Sequence, residues 1–482
     1  MALKIKNQKP MTEAFDSLDE SKVIREAAAF EARYADHFED LYNESPLSKV
    51  RKITKYDEIA LGRQLAQVEG HIRMIKEDNG SVNQLGVSPK IALDVVSVLY
   101  GSSIVPVIAS VQPIAEQRGL VYFKSAKAQN TKGNMTANDD IMNPYSGMKT
   151  PNAYAGNAVS LEVVGTGNGA LTSFTATLAN KPVAGSLQIS IESAPATIIA
   201  LDDYKGVITG TGVSGTINYS SGVVVLNFAV AVVNDVDVYV SYGQNYESST
   251  DIPQIQSYYD SATIDAAIYA LKSTMGLFQA FQLKQRFGIS AEEEISKDLI
   301  SAMNAELGGD LIRKMAAAAV GNTAFTYTIS TSSDNYYGEK QRLFDAIFTT
   351  AGSVITANAG RGIVNLIIAG NTAAASIQTL PGFVQITDGN SIGCHLLGTL
   401  NGIPVVRVIE TDMLAANVIL CAYKGTSPFE APAVYAPYMP ITNTALLPMG
   451  LNPLMQQKAI AVWAGTKVLV QNFITKITIT YV

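Results

Sequence analysis

From Ala291 to Ala319 the sequence reads "AEEEISKDLISAMNAELGGDLIRKMAAAA", one helical pattern without a proline, in which Ile295, Leu299, Met303, Leu307, Leu311 and Met315 recur at intervals of four. At ~1.5 Å per residue such a helix is roughly 43 Å long, the length of a strut around which other elements must be arranged. Its start is marked. Ser290 stands at the N-cap with Glu293 three residues on, a capping-box pattern, and Glu292, Glu293 and Glu294 sit at the positive end of the helix dipole. Gly308 and Gly309 each weaken the interior by about 1 kcal/mol relative to alanine, so a bend or a close backbone contact is expected there.

Before this strut, residues 17–43 read as a helix opened by a capping box of Ser17 and Glu20, with the stripe Val23, Ala27, Phe30, Tyr34, Phe38, Leu41. A second helix from Asp57 to Asp78 carries Leu61, Leu65, Val68, Ile72 and Ile75. The pair reads as a helical hairpin, a partner-binding arm or ordinary amphipathic packing. After "VQPIAEQRGLVYF" the polar run "SAKAQNTKGNMTANDDIMNPYSGMKTPNAYAGN" has no periodicity and reads as an extended, exposed loop. Residues 159–245 then lose nearly all charge and show short alternating runs such as "SLQISIES" and "VDVYVSYG", the texture of a small all-β sandwich. A helical signature returns in "IDAAIYALKSTMGLFQAFQLKQRFG". From about 340 onward a helix at "EKQRLFDAIFTTAGSVITA" mixes with strands such as "IVNLIIAG" and "IPVVRVI" and a closing strand "VLVQNFITKITITYV", an α+β pattern.

At 482 residues the chain is too long for one core, and at about 150 residues per domain it divides into roughly three. A net charge of −7 leaves no broad basic face to grip a nucleic acid. The two cysteines, Cys394 and Cys421, make neither a disulfide framework nor a zinc spacing, which fits synthesis in a reducing cytoplasm. The N-terminus lacks an apolar signal core, and no window reaches the roughly 18 apolar residues a membrane span needs.

The motifs with chemical associations each have a plainer explanation. "GTGVSG" at 210–215 has the letters of a dinucleotide loop but is followed by another strand, so it reads as a hairpin turn. Ser146 to Lys149 match SxxK and Ser333 to Asn335 match SDN, yet KTG is absent and proline and glycine surround the serine. His37, His71 and His395 are far apart, with no second ligand at metal spacing. Asp139 with Asp140, and Asp202 with Asp203, lie in turn contexts that favour aspartate. No catalytic, cofactor-binding or metal-binding residue is therefore assigned. Lys124, Lys127, Lys132 and Lys149 give the loop a positive bias, read either as plain solvation or as contact with an acidic neighbouring subunit.

Three separated segments resemble one family, the major capsid protein of T-even-type myoviruses. In "VQPIAEQRGLVYF" the resemblance is carried by Val111, Gln112, Pro113 and Gly119, although Gln117 stands where the family usually has a second proline. In "ALKSTMGLFQAFQLKQRFGISAEEEIS" it is carried by Leu271, Lys272, Leu277, Ala280, Leu283, Gly288, Ala291, Glu292, Glu294 and Ser296, around the Ser290 and Glu293 cap. The family places a strand and a helix there, leading into its long spine helix. In "YKGTSPFEAPAVYAPYMPIT" it is carried by Tyr423, Lys424, Gly425, Tyr435, Ala436, Pro437, Tyr438 and Thr442, after which the family's ending is not kept.

The resemblance implies the Hong Kong 97-type capsid fold, α+β, with an inserted all-β Ig-like sandwich. Its expected parts are a helical N-terminal arm at 1–88, the start of the peripheral domain and extended loop at 89–158, and the inserted sandwich at 159–245. The loop would return at 246–275, the peripheral domain with its spine helix occupy 276–345, the axial domain 346–434, and the C-terminal part of the peripheral domain 435–482. The implied function is that of a shell tile in the virion, assembled in the host cytoplasm. It would form hexamers and pentamers that enclose double-stranded DNA without reading its sequence, and would meet portal, vertex, decoration or scaffolding proteins but no membrane. Family members lose an N-terminal propeptide after an aliphatic-x-Glu pattern; "IREA" fits it at Glu26, and the expectation is that the arm stays attached. The rival expectations are a bacterial nanocompartment shell and a glycan-binding virion surface protein.

Overall fold

The computed structural model describes residues 11–43, 45–77, 97–142, 149, 151–191, 197–248, 252–327, 336–359, 362–386, 393–425, 428–444, 446–449 and 452–481. Helices come first: α1 (Met11–Arg33), α2 (Ala35–Asn43), α3 (Pro46–Val50), α4 (Lys55–Glu77), α5 (97–102) and α6 (Val105–Ile108). Strands follow as β1 (Ser110–Val111), β2 (Arg118–Ala128), β3 (Asp140–Met142), β4 (Ala158–Thr166), β5 (Ser173–Thr177), β6 (Gln188–Ser190), β7 (Ile198–Asp202), β8 (Val207–Gly210), β9 (Val213–Asn218), β10 (Val223–Phe228), β11 (Asp237–Gly243), β12 (Ile255–Asp265) and β13 (Ala267–Gly276). Then come α7 (Leu277–Phe287), α8 (Ala291–Ala318), β14 (Asn322–Tyr327), α9 (Tyr336–Asp345), a π-helical turn at Ala346–Thr350, α10 (Ala351–Ala359), β15 (Leu366–Gly370), α11 (Asn371–Gln378), β16 (Phe383–Gln385), β17 (Cys394–Leu400), β18 (Ile403–Val408), β19 (Val418–Ala422), β20 (Ala433–Asn443), β21 (Leu447–Met449), β22 (Asn452–Val468) and β23 (Ile474–Tyr481).

The chain forms two compact units, here called the spine unit (1–124, 143–147 and 259–482) and the loop unit (125–142 and 148–258). The spine unit holds two sheets. One runs β1-β20-β22-β13 with β21 beside β22, and the other runs β14-β23-β19-β15-β18-β17-β16. Ile295, Leu299, Met303, Leu307, Leu311 and Met315, the ridge read from the sequence, are all buried in one apolar cluster with Phe38, Leu61, Leu65, Ile368, Val406 and Ile460. A second cluster lies under the seven-stranded sheet around Ile347, Ile355, Ile367 and Ile377.

The loop unit is all-β over 158–243. Its eight strands form one hydrogen-bonded path, β4-β11-β6-β7-β8-β9-β10-β5, around a core of Leu187, Ile189, Ile208, Val224, Leu226, Val238 and Val240. A Cβ on Gly165 of β4 would lie 2.6 Å from Phe174 of β5, so the two ends of this path meet over the core. "GTGVSG" is the turn from β8 to β9: Gly210 pairs with Val213, and Gly212 has φ +71°, which glycine adopts without strain.

Several local readings are corrected. Ser17 lies inside α1 rather than at its cap, because the described helix already includes Met11 to Asp16. The stretch from Ala267 to Gly276 is a strand, not helix; it pairs with β22 over its whole length, from Ala267↔Ala464 to Gly276↔Met455, and this ladder overrides its helical propensity. The closing strand is two: β22 ends at Val468, a 3-10 turn at Gln471–Phe473 follows, and β23 pairs with β14 and β19 in the other sheet. The helix near 340–359 is interrupted by the π turn.

Candidate functional site

The resembling segments converge in the spine unit. β1 pairs in parallel with β20, placing Ser110 opposite Val434 and Val111 opposite Tyr435. The ladder continues past β1, where the amide of Gln112 donates to Tyr435 O at 2.9 Å and that of Ile114 to Pro437 O at 3.1 Å. Pro113, between them, has no N–H to leave unpaired. The Gln112 side chain donates to Pro428 O at 3.0 Å and accepts from Tyr122 N at 3.2 Å, tying the segment to β2. A Cβ on Gly119 would lie 2.6 Å from Ile114 Cγ2, so the turn closes only around glycine. Tyr435 and Ala436 are buried, and the Tyr438 ring lies 5.7 Å from that of Trp463.

Lys424 is partly buried at this junction. Its ammonium donates to Pro106 O, to Val107 O at 3.3 Å and to Ala109 O at 2.8 Å, the carbonyls left open where α6 ends. Its backbone is clamped by Asn365, which accepts from Lys424 N and donates to Lys424 O, both at 2.7 Å. Burial, reinforced by nearby Arg51 and opposed by Asp57, lowers the Lys424 pKa from 10.5 to about 7. Beside it the amide of Gly425 donates to Glu430 O at 2.7 Å, and a Cβ there would lie 2.7 Å from Glu430. The Tyr423 ring meets Phe473 edge-on at 5.1 Å.

The glutamate cluster is also placed. Gly288 closes α7 in the left-handed conformation, φ +70°, its amide donating to Lys284 O. Ser290 holds the N-cap position of α8, but its side chain makes no cap hydrogen bond, so the expected capping box with Glu293 is not formed. Instead Glu292 accepts from Lys458 Nζ of β22 at 2.9 Å, and Lys458 is only 1% exposed. Eighteen residues further along α8, Asp310 accepts from Lys314 at 2.8 Å, from Tyr269 of β13 at 3.2 Å and from Thr466 of β22. Burial opposes ionisation of Asp310, yet the bonds from Lys314 and Thr466 outweigh it and hold the carboxyl below its usual pKa. The spacings match. From Glu292 to Asp310 the helix climbs ~27 Å, and from Lys458 to Thr466 the strand covers about the same distance in the same chain direction. Gly308 and Gly309 provide the close contact: a Cβ would lie 2.8 Å from Cys394 Sγ at the first and 2.8 Å from Met413 at the second.

The sequence motifs weighed for chemistry are not gathered into one site. Asp202 accepts from the amides of Gly185 and Leu187 and from the Tyr219 hydroxyl, and Asp203 from the amides of Lys205 and Val207, which are turn roles. Hydrogen bonds from Lys149 and the Thr136 amide pull Asp139 down to about 2. His37 lies against the Tyr34 ring, and His395 is opposite Arg407 in the β17–β18 pair. Ser146 to Met148, Ser333 to Asn335 and the His71 side chain lie outside the described residues. Burial pushes both Cys394 and Cys421 up to about 12. Among the described residues, no group of three or more His, Cys, Asp or Glu is placed to hold a metal, and no helix is long and apolar enough to cross a membrane.

The loop lysines have partners within their own unit. Lys149 pairs with Asp139 at 2.6 Å and Lys127 with Asp140 at 3.8 Å. Lys132 donates to Gln244 at 2.9 Å and to the Tyr246 hydroxyl at 2.7 Å. The Lys124 side chain lies outside the described residues. Sequence reading missed Lys458, Asp310 and Asn365; the only signal was a lysine within the alternating run "QQKAIAVWAG" and an aspartate directly after a glycine pair.

Residues 87–462 match the family described as "Major capsid protein Gp23", a span that includes β1, α8, Lys424 and β20. The chain belongs to this family of major capsid proteins. It is a major capsid protein of a tailed bacteriophage. Among solved structures, the capsid of Myoviridae phage XM1 aligns at 10% identity over 66% of this chain and 89% of that one, with a TM-score of 0.29. A chain of Mycobacterium phage Bobi aligns at 13% identity over the same shares, TM-score 0.30, and a virus-like particle from Pyrococcus furiosus at 10% over 48% and 82%, TM-score 0.27. No curated protein matches by sequence. Membership rests on the match over 87–462.

Proposed function

We propose that the chain is the repeating tile of an icosahedral shell, joining copies of itself into hexamers and pentamers around double-stranded DNA, with no active site of its own. In this reading it has the Hong Kong 97-type arrangement, with the domain spans given above and the 159–245 region as an inserted Ig-like domain. Assembly takes place in the host cytoplasm, with portal, vertex, decoration or scaffolding proteins as further partners. Lys127 and Lys149, only partly covered by their aspartates, would keep a face for an acidic neighbour, and Lys124 is proposed as a further contact to it; Lys132 bonds to Gln244 and Tyr246 of its own unit.

The observation that carries self-association is α7. The helix has no buried residue, and Leu277, Phe278, Phe281 and Phe287 are 42%, 69%, 61% and 70% exposed. Apolar rings in water favour a second surface that covers them. Their rim is basic, through Lys284 and Arg286, so an acidic patch on another copy would complement it.

Electron microscopy of the purified protein tests the reading. Closed shells or six-membered rings are expected, and the double variant Phe278→Ser, Phe281→Ser should abolish them without lowering the unfolding midpoint. Single chains at high concentration would sink the proposal. Particles from infected cells that carry enzymes and no DNA would favour the nanocompartment instead.

A further inference from the structure

Gln64 of α4, Tyr100 of α5 and Asn304 of α8 line one cavity of about 10 Å³, with Leu99, Ser103, Val105, Pro106, Leu307 and Tyr435 as its remaining wall. Gln64 is 3% exposed and Tyr100 5%. Yet Gln64 Nε2, the Tyr100 hydroxyl and Asn304 Oδ1 have no hydrogen-bond partner in the protein. The other end of the Asn304 amide is committed: Nδ2 donates to Leu99 O at 3.3 Å and to Ser102 Oγ at 2.9 Å, which fixes Oδ1 as the end left over. Buried polar groups are almost always satisfied, so three orphans around one cavity call for a shared partner.

The chemistry of that partner follows from the groups. Gln64 offers a donor, Asn304 an acceptor, and Tyr100 a hydroxyl that does either. An anion would find no cation among these lining residues, and a cation would face the Gln64 donor. An apolar guest would leave all three groups unpaired. The space is that of about one water centre, and two to four polar contacts are what a buried water requires.

We infer that Gln64, Tyr100 and Asn304 form a structural water site that joins the N-terminal helix α4 to the spine helix α8. The water accepts from Gln64, donates to Asn304 and shares its remaining hydrogen bond with Tyr100. Gln67 Oε1 of α4 and Ser110 Oγ of β1 are likewise buried without a hydrogen-bond partner in the protein. The contact between α4 and α8 thus combines an apolar cluster with one polar bridge, whose cavity Leu307 of the ridge also lines.

A cryo-electron-microscopy map of the full chain, at a resolution that shows ordered solvent, tests this in whatever assembly state the protein adopts. Its outcome is therefore independent of the shell proposal. One peak within hydrogen-bond distance of Gln64, Tyr100 and Asn304 is expected. Ordered side chains with no peak, or with direct bonds among themselves, would overturn the site. As a second measurement, Gln64→Leu and Tyr100→Phe should each lower the unfolding midpoint, and the double variant should lower it by clearly less than the sum. Additive shifts would mean that the two groups share no ligand. Should a variant fail to fold, the map of the unaltered chain decides.

Discussion

In the spine unit Lys458 is taken almost wholly out of water and Lys424 partly so, and both are given fixed acceptors, three carbonyls for Lys424 and one carboxylate for Lys458. In the loop unit Lys127 and Lys149 keep side-chain exposures of 38% and 49% and pair with Asp140 and Asp139 of the same unit. The chemical groups are the same; the dielectric around them is not. A buried ammonium left without its partner is expensive, whereas an exposed one turns to solvent. The spine unit therefore uses lysine to fix which segments meet, and the loop unit uses it to trim a surface.

The most severe test of that contrast is Lys424→Met. It strips the donor from Pro106, Val107 and Ala109, and although it also removes a buried charge, the chain should lose about 3 kcal/mol in denaturant unfolding. A loss no larger than that of a surface lysine would break the comparison. The pH dependence sharpens it. Lys424 has a folded pKa of about 7 against an ordinary 10.5, so between those values the unfolded chain binds more protons and stability rises with pH. Unfolding midpoints from pH 7 to 10 should climb more steeply for the wild type than for Lys424→Met; parallel slopes would show that the ammonium is not held in a desolvated state.

Glu292→Gln comes next. Lys458 stays buried without its anion, but Glu292 is 40% exposed and water relieves part of the penalty, so about 2 kcal/mol is expected. Gly308→Ala should cost about 1 kcal/mol, because overpacking against Cys394 and Ile104 exceeds the gain in helix propensity; Gly309→Ala should cost less, since Met413 is flexible. Equal effects at both positions would contradict that ordering. Lys149→Ala should be the mildest, a midpoint shift near the error of the measurement that disappears in high salt.

How much of this could be read without coordinates differs from element to element. The start of α8 at Ala291, its buried ridge, and the strand texture of 159–245 were legible because they are local: one period, one composition, one set of turn residues. The strand at Ala267–Gly276 was not legible in its own periodicity, only through the resemblance, because its ladder partner lies nearly two hundred residues away. The same holds for the site. Val111, Gln112, Tyr435 and Pro437 could be singled out as matching positions, but their pairing across β1 and β20 could not.

By itself the sequence determined that this chain builds a long helical strut, a charge-poor β region and three family segments, since periodicity and side-chain chemistry act over a few residues. Only the tertiary structure decided which lysines lose their water, which carbonyls Lys424 satisfies and that Glu292 answers Lys458. The reason is physical. Desolvation and long-range pairing depend on what the fold brings together from distant parts of the chain, and no local pattern encodes them.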